Sequence, residues 1–130
     1  MQKVNIKLSS LIDQNGLVDN VHLETPGTWD EKTQTLAYEQ NDLKNELQLS
    51  GNEIILRQPN GTEIVFRHED TSESLFGTPY GQLPIVVTTE RALYDLGDDK
   101  SSIDLSYQIL QNDMDLGKFS LKLEFENLDD

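Results

Sequence analysis

Apolar and polar residues trade places one by one along most of this chain. A period of two admits a β-strand with one buried face and one wet face, and excludes an amphipathic helix, which needs apolar residues at i, i+3 and i+4. Near the C-terminus Phe119, Leu121, Leu123 and Phe125 alternate with Ser120, Lys122, Glu124 and Glu126. Before them Ile103, Leu105, Tyr107 and Ile109 alternate with Asp104, Ser106 and Gln108. Turn-forming residues punctuate the pattern at Asn15-Gly16, Ser50-Gly51-Asn52, Pro59-Asn60-Gly61 and Gly97-Asp98-Asp99, and Leu116-Gly117 is read as opening the last strand. This spacing predicts nine or ten short antiparallel strands. One-sided strands in that number must cover their apolar faces either by closing into a barrel or by folding into a sandwich, and short sequential hairpins favour an up-and-down meander, hence a barrel. The fold class is therefore all-β, a single antiparallel up-and-down barrel over residues 1–130. Its expected core comprises Ile6, Leu8, Leu36, Tyr38, Leu49, Leu56, Phe66, Ile85, Val87, Leu105, Tyr107, Leu121 and Leu123.

The segment Leu83–Leu96 breaks the rule. Leu83, Ile85 and Val87 share one face, whereas Ala92, Tyr94 and Leu96 share the opposite one. No single register buries both sets, so a bulge or sharp bend is expected near Thr88–Glu90.

Composition narrows the function. A chain of 130 residues is one domain's worth and buries a sizeable core. The absence of cysteine removes disulfides, thiol nucleophiles and cysteine metal sites. The N-terminal residues carry no signal-peptide pattern, no window is apolar enough to span a bilayer, and the expected location is cytoplasmic. Asn60-Gly61-Thr62 matches a glycosylation sequon but reads as a turn. Asn127–Asp130 is expected to fray. The net charge of −14 repels phosphate backbones and anionic headgroups, so neither nucleic acid nor a membrane is an expected partner. A basic protein partner fits that charge.

Leu75-Phe76-Gly77-Thr78-Pro79-Tyr80-Gly81-Gln82-Leu83 runs into Val87-Thr88-Thr89, with Tyr107 beyond and Arg57 and Gly61 upstream. This arrangement resembles the YwiB-like family of uncharacterised bacterial proteins. Thr78, Pro79, Tyr80, Gly81 and Thr89 carry the motif. The resemblance extends from about Leu8 to Phe125 and implies a calycin-like antiparallel β-barrel. It implies no activity. The chain departs from the family pattern over Gln40–Ser50, after Tyr38-Glu39, and by two extra residues between Arg57 and Gly61. Gly27-Thr28-Trp29 matches the Gly-x-Trp of lipocalins in three residues only and follows the second strand; Trp29 is read as a core aromatic that closes the barrel.

No chemistry-bearing motif stands out. His22 alternates with Val21 and Leu23 and should face solvent. His68 falls on the Ile64/Phe66 face at a strand end, where a histidine can serve as acid or base or simply be satisfied by its surroundings. Nucleophile elbow, phosphate loop and dinucleotide fingerprint cannot be spelled from these residues. Asp95–Asp99 and Asn112–Asp115 read as turns rather than cation loops, and no metal or cofactor is expected. Three functions are compatible with these residues: a non-enzymatic carrier that holds a small apolar or amphipathic ligand in the barrel, an acidic interaction or regulatory module, and an enzyme without a recognisable motif. For the first, Arg57, His68, Tyr80, Arg91 and Tyr107 are the groups expected at a barrel mouth.

Overall fold

A computed structural model describes residues 1–14 and 16–128. The described residues form ten strands and no helix: β1 Gln2–Gln14, β2 Leu17–Asp30, β3 Thr35–Gln40, β4 Leu43–Ser50, β5 Glu53–Arg57, β6 Glu63–Arg67, β7 Asp70–Thr78, β8 Gly81–Asp95, β9 Lys100–Gln111 and β10 Met114–Asn127. Each pairs antiparallel with its sequence neighbours, and β1 pairs with β10, so the sheet closes into a barrel. The up-and-down order follows from the tight hairpins. Asn41 and Asp42, and likewise Asn112 and Asp113, take positive φ as a two-residue hairpin turn requires. Asn15 of the first turn lies outside the described residues. Leu116-Gly117 is not the opening turn of β10. It lies inside that strand, where the register with β9 shifts between Asp115 and Gly117, and Asn112-Asp113 makes the turn instead. Asn127 still pairs with Val4, and the Leu128 N–H donates to the Lys3 carbonyl at 3.0 Å. The fraying expected of Asp129 and Asp130 lies outside the described residues.

The bend expected near Thr88–Glu90 is a β-bulge. The pairing of β8 with β9 steps from Thr89 to Arg91, leaving Glu90 as the extra residue. Ile85, Val87 and Thr89 are buried before the step, and Ala92 is buried after it. The strand thereby changes phase and keeps its apolar side inward throughout.

The interior is a continuous apolar cluster. Ile6, Leu36, Leu47, Ile54, Phe66, Ile103, Leu105 and Leu123 are its most completely buried large side chains. Of the expected core, Leu56, Tyr107 and Leu121 are only partly buried and pack against the cluster's edge. Trp29 is buried and lies against Phe125 with ring centroids 5.2 Å apart, closing the end of the barrel where the chain begins.

The barrel has two unequal walls. β1, β2, β8, β9 and β10 run 12 to 15 residues, whereas β3, β5 and β6 run 5 or 6. At about 3.3 Å per residue the long strands must overhang the short ones. The walls meet at two narrow seams. The first joins β2 to β3 from Gly27 to Asp30 only. A side chain on Gly27 would collide with the Ala37 carbonyl and Ile6, so glycine permits this close approach. The second joins β6 to β7, which share a single ladder pair, Glu63 with Leu75. Two buried serines replace the missing ladder: Ser74 Oγ accepts the Val65 N–H at 3.0 Å, and Ser72 Oγ donates to the Val65 carbonyl.

Two expectations follow. Deleting Glu90 removes the phase change, drives Ala92 and Tyr94 outward, and should abolish cooperative unfolding in urea. Ser74→Ala strands the Val65 N–H and should cost about 1–3 kcal/mol in the same assay, against roughly 0.5 kcal/mol or less for Glu73→Ala on the wet face.

Candidate functional site

The long wall rises above the short one at the end bearing the β1–β2 and β9–β10 hairpins. Inward-facing residues there have no opposite wall to bury them. Ile12, Val21 and Leu23 on the β1–β2 arm, with Tyr107, Ile109, Phe119 and Leu121 on β9 and β10, are half-buried rather than buried. Register aligns them: Ile12 is opposite Phe119, Phe119 opposite Tyr107, and Ser10 opposite both Leu121 and Val21. Tyr107 stacks on Phe119 at 5.3 Å and tilts against Phe66 at 4.5 Å, so the aromatic lining continues down into the core. Above it Phe76 and Leu83, paired across the β7–β8 hairpin, stand 45% and 41% exposed.

The short wall gives this mouth a polar rim. Asn45 is buried; its Oδ1 accepts a hydrogen bond from Gln58 Nε2 at 2.7 Å, and its Nδ2 donates to the Leu43 carbonyl at 3.1 Å. Tyr38 lies opposite Asn45 on the neighbouring strand. Burial pushes the Tyr38 phenol up to about 12, and burial with a smaller repulsion from Tyr38 pushes Tyr107 up to about 12. The two phenols are thus close enough to sense each other and remain neutral hydrogen-bonding groups. Beside Tyr107 in the ladder, Thr89 is 1% exposed, and its hydroxyl has no hydrogen-bond partner among the described residues.

The five residues expected at a mouth do not converge. Only Tyr107 lines it. Arg57 is on the outer face, bonded to Gln48 at 2.7 Å and paired with Glu63 at 3.3 Å. Arg91 sits in the bulge, turned outward to Asp104 at 3.6 Å. Tyr80 is 100% exposed at the β7–β8 turn. His68 is committed to the backbone: its Nδ1 accepts the Ala92 N–H at 3.2 Å, just past the bulge and beyond the first residue of β7, and its Nε2 lies 3.5 Å from Glu69. His22 faces solvent as its alternation predicts. Of the motif residues, Thr78, Tyr80 and Gly81 serve the β7–β8 hairpin, whereas Thr89 is buried beside the bulge. Thr78 Oγ1 donates to the Gly81 carbonyl at 2.7 Å and accepts the Tyr80 N–H at 3.2 Å.

The half-buried lining and the Asn45–Gln58 pair escape a reading of single residues. Each is unremarkable on its own strand; only the register across the walls brings them together. The signal that existed was length, since strands of unequal length around one barrel must leave one end open.

These features define a closed ten-stranded antiparallel barrel with an apolar core and, at one end, a half-buried apolar inner face beside a few placed polar groups. The chain belongs to the family called domain of unknown function (DUF1934), whose profile matches residues 6–123. Its fold is similar to the crystal structure of ywiB protein from Bacillus subtilis, with a TM-score of 0.83 and 16% sequence identity over 98% of this chain and 93% of that one. No curated protein matches the chain.

The buried phenols set a pH dependence. A tyrosine whose folded value is raised holds its proton longer folded than unfolded, so its stabilising contribution is intact below about pH 10 and is lost as pH rises toward 12. Ultraviolet titration should show two of the tyrosines ionising only near pH 12 or on unfolding, and urea stability should fall between about pH 10 and 12. Tyr38→Phe with Tyr107→Phe should flatten that fall.

Proposed function

We propose that this protein is a non-enzymatic binding protein that seats a small amphipathic molecule in the mouth above its packed barrel. The carrying observation is the half-buried inner face of the long wall, with Tyr107, Ile109, Phe119 and Leu121 at its centre. Apolar side chains left part-open in a concave setting, faced by a few placed polar groups, are the usual make-up of a small-ligand site. The ligand's apolar part lies along these residues, and its polar end meets the Asn45–Gln58 pair and the phenol of Tyr38 or Tyr107. A mouth site fits better than a site inside the barrel, because the most completely buried large side chains lie below it. A non-enzymatic role fits the same geometry. His68 has its Nδ1 occupied by a backbone donor, and the remaining charged candidates point outward in ion pairs.

A second reading, an acidic module that binds a basic protein, is favoured by the net charge of −14 and concerns the outside of the molecule.

Native mass spectrometry on protein purified gently from its own host tests the first reading. The expected result is a reproducible extra mass of a few hundred daltons. It should disappear in Phe119→Asp and persist in His22→Ala on the wet face. A clean apo mass, with no uptake of fatty-acid or amphipathic dye probes, would remove it.

A further inference from the structure

The large wall leaves one edge bare. β2 pairs with β1 from Leu17 onward but with β3 only from Gly27, so Leu17–Pro26 has a strand neighbour on one side only. Among the described residues, no turn, loop or side chain bonds the backbone of Val18–Glu24 from the other side. The corresponding upper end of β7, beyond its partner β6, is treated differently. There the Gln58–Thr62 loop covers the strand: Thr62 Oγ1 accepts the Gly77 N–H at 2.9 Å, and Gln82 Nε2 donates to the Gly61 carbonyl at 2.7 Å. A side chain on Gly77 would strike the Asn60 carbonyl, so that edge is sealed by contact.

The polarity of the bare edge can be read from Pro26. Alternate residues of an antiparallel strand bond the same neighbour, and proline is tolerated where its missing N–H would face an edge. Val18, Asn20, His22 and Glu24 therefore direct their N–H and C=O groups outward from β1. Pro26 ends the run of donors. An unpaired row of this kind is a template for another strand.

Charge selects the occupant. Asp19 and Glu24 lie on the edge strand, Glu24 across from Lys7, and Glu39 and Asp42 lie on the neighbouring β3–β4 hairpin, Glu39 across from Lys44, so acids outnumber bases here. A second copy would bring −14 against −14. Leu17 and Val18, 78% and 58% exposed, offer apolar contact where the edge begins.

We propose that the Val18–Glu24 edge of β2 takes an extended cationic segment of a partner protein as an added strand. Backbone bonds hold the segment. Its apolar residues continue the inner face beside Val21 and Leu23, and its lysines or arginines lie on the outer face beside Glu24. This rests on the second reading above, gives it a place on the molecule, and is independent of any ligand in the mouth.

The test uses the full chain and a labelled, end-blocked peptide of roughly nine residues alternating valine with lysine, long enough to span the edge. Fluorescence anisotropy should show micromolar binding that weakens with salt. N-methylation of alternate peptide amides should weaken it at least ~10-fold, because the backbone bonds are lost while the charge is kept. His22→Pro should weaken it similarly while keeping the melting temperature, since the His22 N–H faces away from β1. Equal binding of the methylated and plain peptides would overturn the proposal, because charge alone would then hold the segment. So would absence of binding, or equal binding of a valine–glutamate peptide. A concentration-dependent dimer that His22→Pro dissolves would overturn it too, by giving the edge to a second copy.

Discussion

One extra residue makes the closure of this barrel possible. Every strand must keep its apolar side inward, and a strand as long as β8 cannot do so while its sequence reverses phase halfway. The bulge at Glu90 reverses the backbone with it, so Ile85 and Val87 above and Ala92 below face the same core. The Ala92 amide lies beyond the first residue of β7, and His68 takes it. Arg91, pushed outward by the same step, finds Asp104. A histidine and an arginine that sequence alone offers as site residues are thus occupied by the consequences of the bulge.

The second constraint is the mismatch between the walls. Four short strands cannot shield the full height of the long ones, and the two seams show how little pairing joins them. Serine hydroxyls stand in for ladder bonds at one seam, and a glycine allows contact at the other. Below the seams the interior is a continuous cluster of buried apolar side chains. Above them the long wall stands partly bare, with an apolar lining on its inner face and an unpaired strand at one edge. Both proposed activities use that surplus, which is why neither needs a catalytic group.

Much of the fold was legible because alternation and turn chemistry are local. The strand order, the hairpins and the bulge follow from residues within one or two strands of each other. Ser72 and Ser74 were missed because buried serines look like wet-face residues until a neighbouring strand leaves its amide unpaired. The mouth was harder still. Arg57 could have been placed outside by parity, since Ile54 and Leu56 take the inner face of its strand. Arg91 could not, because its direction depends on which residue the bulge absorbs. Half-burial of Phe119, Tyr107 and Leu121 depends on where β3–β6 stop, and nothing in β9 or β10 records that. The family match extends over nearly the whole chain and supports the barrel without adding a role for any residue.

Residue-resolved hydrogen exchange by NMR would test most directly whether the molecule is a filled barrel with one open, unpaired rim. Amides in the buried stretches of β1, β4 and β5 should exchange only by global unfolding. Along β2 the rates should alternate, slow at the odd-numbered residues bonded to β1 and fast at Val18, Asn20, His22 and Glu24. Uniform protection from Val18 to Glu24 in the isolated protein, or rapid exchange through β4 and β5, would contradict this description.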